Sequence, residues 1–114
     1  MQEHLSIVAP LPGALVRWRT TVFVHTQPVK VPFMLYVFQN DNLWHRQPVP
    51  ILRGQAEGVG MYIMRCYFGE EFEPTNKNYQ VVALLSHAEL PGLLEDLPVG
   101  LERSEVVSVV RVVG

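Results

Sequence analysis

The chain has 114 residues, 48% of them apolar and 18% charged, with nine Lys/Arg against eleven Asp/Glu for a net charge of −2. That length makes one domain, residues 1–114, able to bury roughly two-thirds of its unfolded surface, so a core forms without disulfides or metal. The apolar content excludes intrinsic disorder, the charge balance offers no overall basicity for nucleic acid, and the one cysteine, Cys66, excludes an intramolecular disulfide and a multi-cysteine zinc site.

Valine occurs eighteen times and alanine five, a balance that favours strands over helices. The first apolar segment, Leu5 to Ala9, stops at the turn cluster Pro10-Leu11-Pro12-Gly13, whose prolines have no place inside a central strand. Leu15 to Thr26 follows as one strand: Trp18, Thr20, Val22 and Val24 alternate with Arg17, Arg19, Thr21, Phe23 and His25, one set in and one set out. Phe33 to Phe38 is apolar on both faces, which requires a central position covered from both sides, by this chain or by a partner.

Asn40-Asp41-Asn42 supplies turn residues that tolerate left-handed backbone, and Leu43 to Gln47 follows closely enough to complete a hairpin before Pro48-Val49-Pro50 ends it. Gly54, Gly58 and Gly60 mark a loop leading to a strand over Met61 to Phe68, and Glu70 to Asn78 reads as a polar loop. Tyr79 to Leu85 is a strong strand, Ser86 to Leu97 allows at most a short helical turn around Pro91 and Gly92, and Val106 to Val113 is the last strand. About seven short antiparallel strands with turn signals every 8–12 residues define an all-β, immunoglobulin-like β-sandwich, with a barrel as the alternative closure.

The landmarks Ile7-x-x-Pro10, Gly13-x-x-Val16, Leu35-Tyr36-Val37, Trp44-His45-Arg46-Gln47-Pro48, Tyr67-Phe68-Gly69 and Tyr79-Gln80-Val81-Val82-Ala83 resemble those of bacterial immunoglobulin-like modules. The resemblance implies a non-enzymatic protein for attachment, partner binding or ligand recognition, similar to small proteins carried on mobile gene cassettes. Phe23 stands after Val22 where such modules usually have glycine, Met61 to Ile63 lack a tryptophan they often carry, and the Cys…Trp…Cys pattern of true immunoglobulin domains is absent.

The chain has no phosphate-binding loop, since Gly58-Val59-Gly60 lacks a third glycine and a following helix, and it has no Gly-x-Ser-x-Gly or His-Glu-x-x-His. Cys66 shares its alternation face with Tyr62, Met64 and Phe68, the setting of an inert core thiol rather than a nucleophile. His4, His25, His45 and His87 are scattered without ligand spacing, so no metal and no cofactor is expected. Glu70, Glu71 and Glu73 form an acidic loop that keeps a protein soluble more readily than it binds calcium. Trp18 between Arg17 and Arg19 is a core or rim tryptophan whose neighbours' stems pack on it.

Trp44 and Arg46 combine contact area with directed donors on a short strand bounded by breakers, which suits a sheet-edge binding patch. His45, Gln47 and Tyr36 join them as candidate binding residues, with the Gly54–Gly60 segment nearby. The expected function is a non-catalytic binding or interaction module that recognises a protein partner. The alternative is a small-ligand barrel or weak enzyme with a pocket near Trp44, His45 and Cys66. A homodimer is expected to hide the outer faces of Phe33 to Phe38 and Val106 to Val113, because a lone sandwich buries one face of each sheet. Residues 1–66 carry six Lys/Arg against three Asp/Glu and residues 67–114 three against eight, an asymmetry that favours self-association if the fold separates it. Nucleic-acid binding would need Arg17, Arg19, Arg46 and Arg53 on one face and is not favoured. No signal peptide or membrane span is read, so the expected address is cytoplasmic.

Overall fold

The computed structural model describes residues 4–71 and 77–112. Ten strands and no helix occur among them: β1 (His4–Ala9), β2 (Leu15–Val16), β3 (Arg19–Gln27), β4 (Phe33–Phe38), β5 (Trp44–Arg46), β6 (Ile51–Ala56), β7 (Val59–Tyr67), β8 (Lys77–Leu85), β9 (Leu93–Leu94) and β10 (Val107–Arg111). They form a sandwich of a four-stranded sheet, β1-β3-β7-β6, and a six-stranded sheet, β2-β10-β8-β4-β5-β9. With no helix and two packed sheets, the described residues form an all-β sandwich, the class expected from the sequence. Three strands bring the number from the seven expected to ten: β2, split from the Leu15–Thr26 segment, β6, in a segment read as loop, and β9.

Alternation builds the core. Val22 and Val24 of β3, Met64 and Cys66 of β7, Leu35 and Val37 of β4, Tyr79, Val81 and Ala83 of β8, and Val107 and Val109 of β10 all point into the space between the sheets. Arg111 continues the inward set of β10 and is buried, with Nη1 donating to the Phe68 carbonyl at 3.2 Å and Nη2 to that of Glu71 at 2.8 Å. These two bonds compensate part of the cost of burying a guanidinium, and the side chain ties the last strand to the end of β7.

Two expectations need correction. The single strand over Leu15 to Thr26 is two strands, because β2 pairs parallel with β10 in one sheet while β3 pairs with β1 and β7 in the other. The chain changes sheet at Arg17-Trp18, where Arg17 N–H donates to Thr20 Oγ1 and the Thr20 hydroxyl returns to the Arg17 carbonyl, each at 3.1 Å. The glycine-rich segment is a hairpin rather than a loop: Glu57 (φ 52°) and Gly58 (φ 80°) make the two-residue turn of β6–β7, with both positions left-handed as a type I′ turn requires. Gly54 sits at a register shift in β6.

Ser86 to Leu97 forms no helix. The whole connection 87–106 folds back over the outer face of the six-stranded sheet and makes a second apolar cluster there: Leu90, Leu94, Leu97 and Val106 pack on Tyr36, Trp44, Val82 and Leu84, beside Met34 and Phe38. Backbone hydrogen bonds stitch it down, from Arg46 N–H to Gly92, Leu85 N–H to Glu102 and Ser104 N–H to Ala83, all 2.9 Å. The buried Ser104 hydroxyl accepts from Ala83 N–H at 2.9 Å and donates to the Glu105 carbonyl at 3.0 Å. The second face of Phe33 to Phe38 is therefore covered by this chain itself, and the argument for a homodimer across that face loses its premise.

Gly60 has no room for a side chain: a Cβ there would lie 2.5 Å from the Val29 carbonyl oxygen and 2.9 Å from Thr26 Oγ1. Gly60→Ala is expected to cost about 1–3 kcal/mol, because the obstacle is backbone. Gly54→Ala, which meets no atom within 4 Å, should shift stability by less than about 0.5 kcal/mol. Thermal melts of the two variants check the contrast.

Candidate functional site

The residues expected to form a patch around β5 are brought together, but as the anchor of the 87–106 cover. Cross-strand pairing sets Tyr36 opposite Arg46 and Phe38 opposite Trp44, so Trp44 and Arg46 face the cover and His45 faces the other way, as strand alternation predicts. Trp44 is only 7% exposed and packs on Phe38 with ring centroids 5.1 Å apart. Tyr36 is fully buried, and its hydroxyl donates to the Pro91 carbonyl at 2.6 Å. Arg46 Nη1 reaches the Leu90 carbonyl and the exposed Glu89 carboxylate, both at 3.1 Å. The carbonyl bond is the more significant of the two, since exposed ion pairs contribute little.

Gln47 is buried and spans the two sheets: its Oε1 accepts from Tyr67 N–H at 2.8 Å and its Nε2 donates to the His45 carbonyl at 3.0 Å. His45 Nε2 lies 2.7 Å from Asp41 Oδ2. Burial raises the Asp41 carboxyl, but the hydrogen bonds from His45 and from Leu43 N–H outweigh it and hold the group below its ordinary value. Gln39, His45, Gln47, Tyr67 and Gly92 line a shallow, open groove at this edge. The Gly54–Gly60 hairpin belongs to the opposite sheet. Cys66 is also remote from Trp44, being buried between the sheets while Trp44 lies on the outer side of the six-stranded one. Burial pushes its thiol up to about 12, so no thiolate is available at neutral pH.

The open surface of the molecule is the outer face of the four-stranded sheet. Register places His25 opposite Met61, Phe23 opposite Ile63, Thr21 opposite Arg65 and Arg19 opposite Tyr67. Ala9 also faces Phe23 across β1, and Ile51 faces Ile63 across β6. An apolar row, Ala9–Phe23–Ile63–Ile51, thus crosses all four strands, about 14 Å at the usual strand spacing. Phe23 is 38% and Ile51 60% exposed. Beside the row Trp18 packs on Tyr67 at 5.6 Å, with the Arg19 guanidinium 5.0 Å from the indole centroid. The sequence held the signal for this face, since Phe23 and His25 alternate away from Val22 and Val24, but Ile51 was hidden in a segment read as loop.

Charge divides between the two outer surfaces. The strands of the four-stranded sheet carry Arg19, Arg53 and Arg65 and no carboxylate, whereas the cover carries exposed Glu89, Glu95, Asp96, Glu102 and Glu105 against a single Arg103. The asymmetry between the halves of the sequence therefore becomes a polarity across the sandwich. Arg19 and Arg53 lie on strands of the four-stranded sheet, Arg17 lies at the crossing between the sheets, and Arg46 lies on the six-stranded sheet, held by the cover. Among the described residues no three His, Cys, Asp or Glu side chains gather as a metal site, and no helix is long and apolar enough to cross a membrane. The calcium reading of Glu73 falls outside the described residues. No protein-family model matches the chain, and no curated protein matches it.

Burial raises the Tyr36 phenol above its ordinary value of 10.0, with the Arg46 charge opposing the shift. The folded chain then keeps a proton that the unfolded chain releases, so this contribution to stability is complete below about pH 10 and is lost as pH rises beyond it. Tyr36→Phe should cost about 1 kcal/mol at neutral pH and flatten the alkaline fall in stability, as measured by denaturant titrations between about pH 8 and 11. Cys66 in the native protein should react with a thiol reagent only as fast as the chain opens, and immediately in denaturant; stopped-flow labelling distinguishes the two.

Proposed function

We propose that the protein is a non-catalytic interaction module that works by presenting the outer face of its four-stranded sheet to a macromolecular partner. The observation that carries this reading is the contrast between the two outer surfaces. One is covered over β4, β5 and the end of β8 by a connection of the chain's own, whereas the other leaves Phe23 and Ile51 in solvent along a continuous apolar row flanked by Arg19, Arg65 and the Trp18–Tyr67 pair. Aromatic and arginine side chains around an apolar centre are the composition of protein-binding hot spots. Membership among the bacterial immunoglobulin-like modules, and an intracellular address where the one free cysteine stays reduced, belong to the same proposal. Support comes from the strand order for the first and from cysteine usage for the second.

A photo-crosslinking amino acid in place of Phe23, in living cells, is expected to yield a discrete adduct. The same group in place of Val49, which is 75% exposed in the β5–β6 connection, should yield none. Equal labelling from the two positions, or none from position 23, contradicts the reading.

A further inference from the structure

The open face and the cover of one molecule are complementary in charge, and they lie on opposite sides of the same sandwich. Resting on the reading of the open face as a docking surface, we infer that its partner is a second copy of this chain, bound through the acidic cover 87–106. The assembly is head-to-tail: the face of each copy receives the cover of the next.

Three observations support this occupant. The four-stranded face carries Arg19, Arg53 and Arg65 with no carboxylate on its strands, while the cover carries five exposed carboxylates and one arginine. The cover is also partly apolar at its surface, with Leu93 53% and Val99 fully exposed, which matches the row of Phe23, Ile63 and Ile51. A two-fold dimer through the open face would instead set arginines against arginines, and like charges brought together across an interface oppose it. Opposite surfaces on opposite sides give a heterologous contact, which propagates rather than closes.

The contact is weak by its size. Two nine-residue strands in a four-stranded sheet offer about 30 Å by 19 Å, roughly 570 Å², against about 800 Å² per partner in a standard interface. Exposed charges flanking so small an apolar row make it sensitive to salt, since the screening length falls from about 20–30 Å at low salt to a few ångströms near 1 M. A single-stranded polyanion is the other occupant an arginine-rich face admits. Phe23 and the Trp18–Tyr67 pair offer stacking planes, but the chain's net charge of −2 favours the second copy.

Sedimentation of the whole chain tests the inference with two variants that each destroy one half of the contact: Arg65→Glu on the face, and Glu95→Gln with Asp96→Asn on the cover, neutral changes that offer the altered face no new cation. For the unaltered protein the weight-average mass is expected to climb well above 13.0 kDa with concentration at low salt and to return to it in high salt. Each variant alone should remain at the monomer mass. Their mixture should form a species of about 26 kDa and nothing larger, because one intact face then meets one intact cover and the chain is capped at both ends. An unaltered protein that stays monomeric at about 100 μM in low salt overturns the inference, as does a closed dimer that mixing fails to restore. Where the Phe23 crosslink captures a different macromolecule and the chain itself stays monomeric, the inference fails and the docking face stands. Where position 23 captures nothing, both fail.

Discussion

The architecture depends on one constraint: a strand that is apolar on both sides must be covered on both sides. β4 has Leu35 and Val37 facing the other sheet and Met34, Tyr36 and Phe38 facing away from it. A two-sheet sandwich supplies one cover only. The chain supplies the other by inserting a long connection between β8 and β10 and folding it across the outer side of β4, β5 and β8. Leucines fill the gap, the Tyr36 hydroxyl and the Arg46 guanidinium hold the turn at Leu90 and Pro91, and the backbone of 102–104 closes along the end of β8. Burying polar atoms under such a cover requires that each be satisfied, and Tyr36, Ser104 and the backbone amides beneath it are.

That arrangement makes the two outer surfaces unequal. Covering one sheet with residues 87–106 collects five carboxylates there, because a segment that must be apolar inward is free to be charged outward. The opposite sheet has no such cover and keeps its arginines and its apolar row in solvent. A module with one sealed side and one open side has a direction, and direction is what distinguishes a surface built for docking from scattered apolar residues of the ordinary kind.

Much of this was legible in the chain before any coordinates. The valine-rich alternation gave the all-β class, and the two-faced pattern of Phe33 to Phe38 stated that an extra cover was needed. Asn42 takes the left-handed backbone its type suggested, with φ of 62°. The source of the cover was not legible: Leu90, Leu94 and Leu97 recur at i, i+4 and i+7 as on a helix face, but Pro91 and Gly92 between them interrupt any helix and read as loop. Contact with a sheet, rather than periodicity, organises that segment. Trp44 and Arg46 have the composition of a binding patch, and in the fold Trp44 packs with Leu90 and Leu94 while Arg46 bonds to the Leu90 carbonyl of the same chain. Arg111 follows the inward alternation of Val107 and Val109, yet a buried arginine needs carbonyl acceptors, which the fold brings to it from Phe68 and Glu71. Gly54, Gly58 and Gly60 together suggested a loop, whereas one belongs to a register shift, one to a tight turn and one to a close approach of backbone.

The two tryptophans report on the two surfaces separately, and quenching of their fluorescence by iodide tests the covered-and-open account most directly. In a Trp18→Phe protein, held monomeric in high salt, the remaining Trp44 lies beneath the cover; in a Trp44→Phe protein the remaining Trp18 lies at the rim of the open face. The account requires blue-shifted, weakly quenched emission from Trp44 and red-shifted, readily quenched emission from Trp18. Equal and ready quenching of both in the folded monomer would mean that residues 87–106 do not seal the outer side of the six-stranded sheet, and the asymmetry on which the docking face rests would be gone.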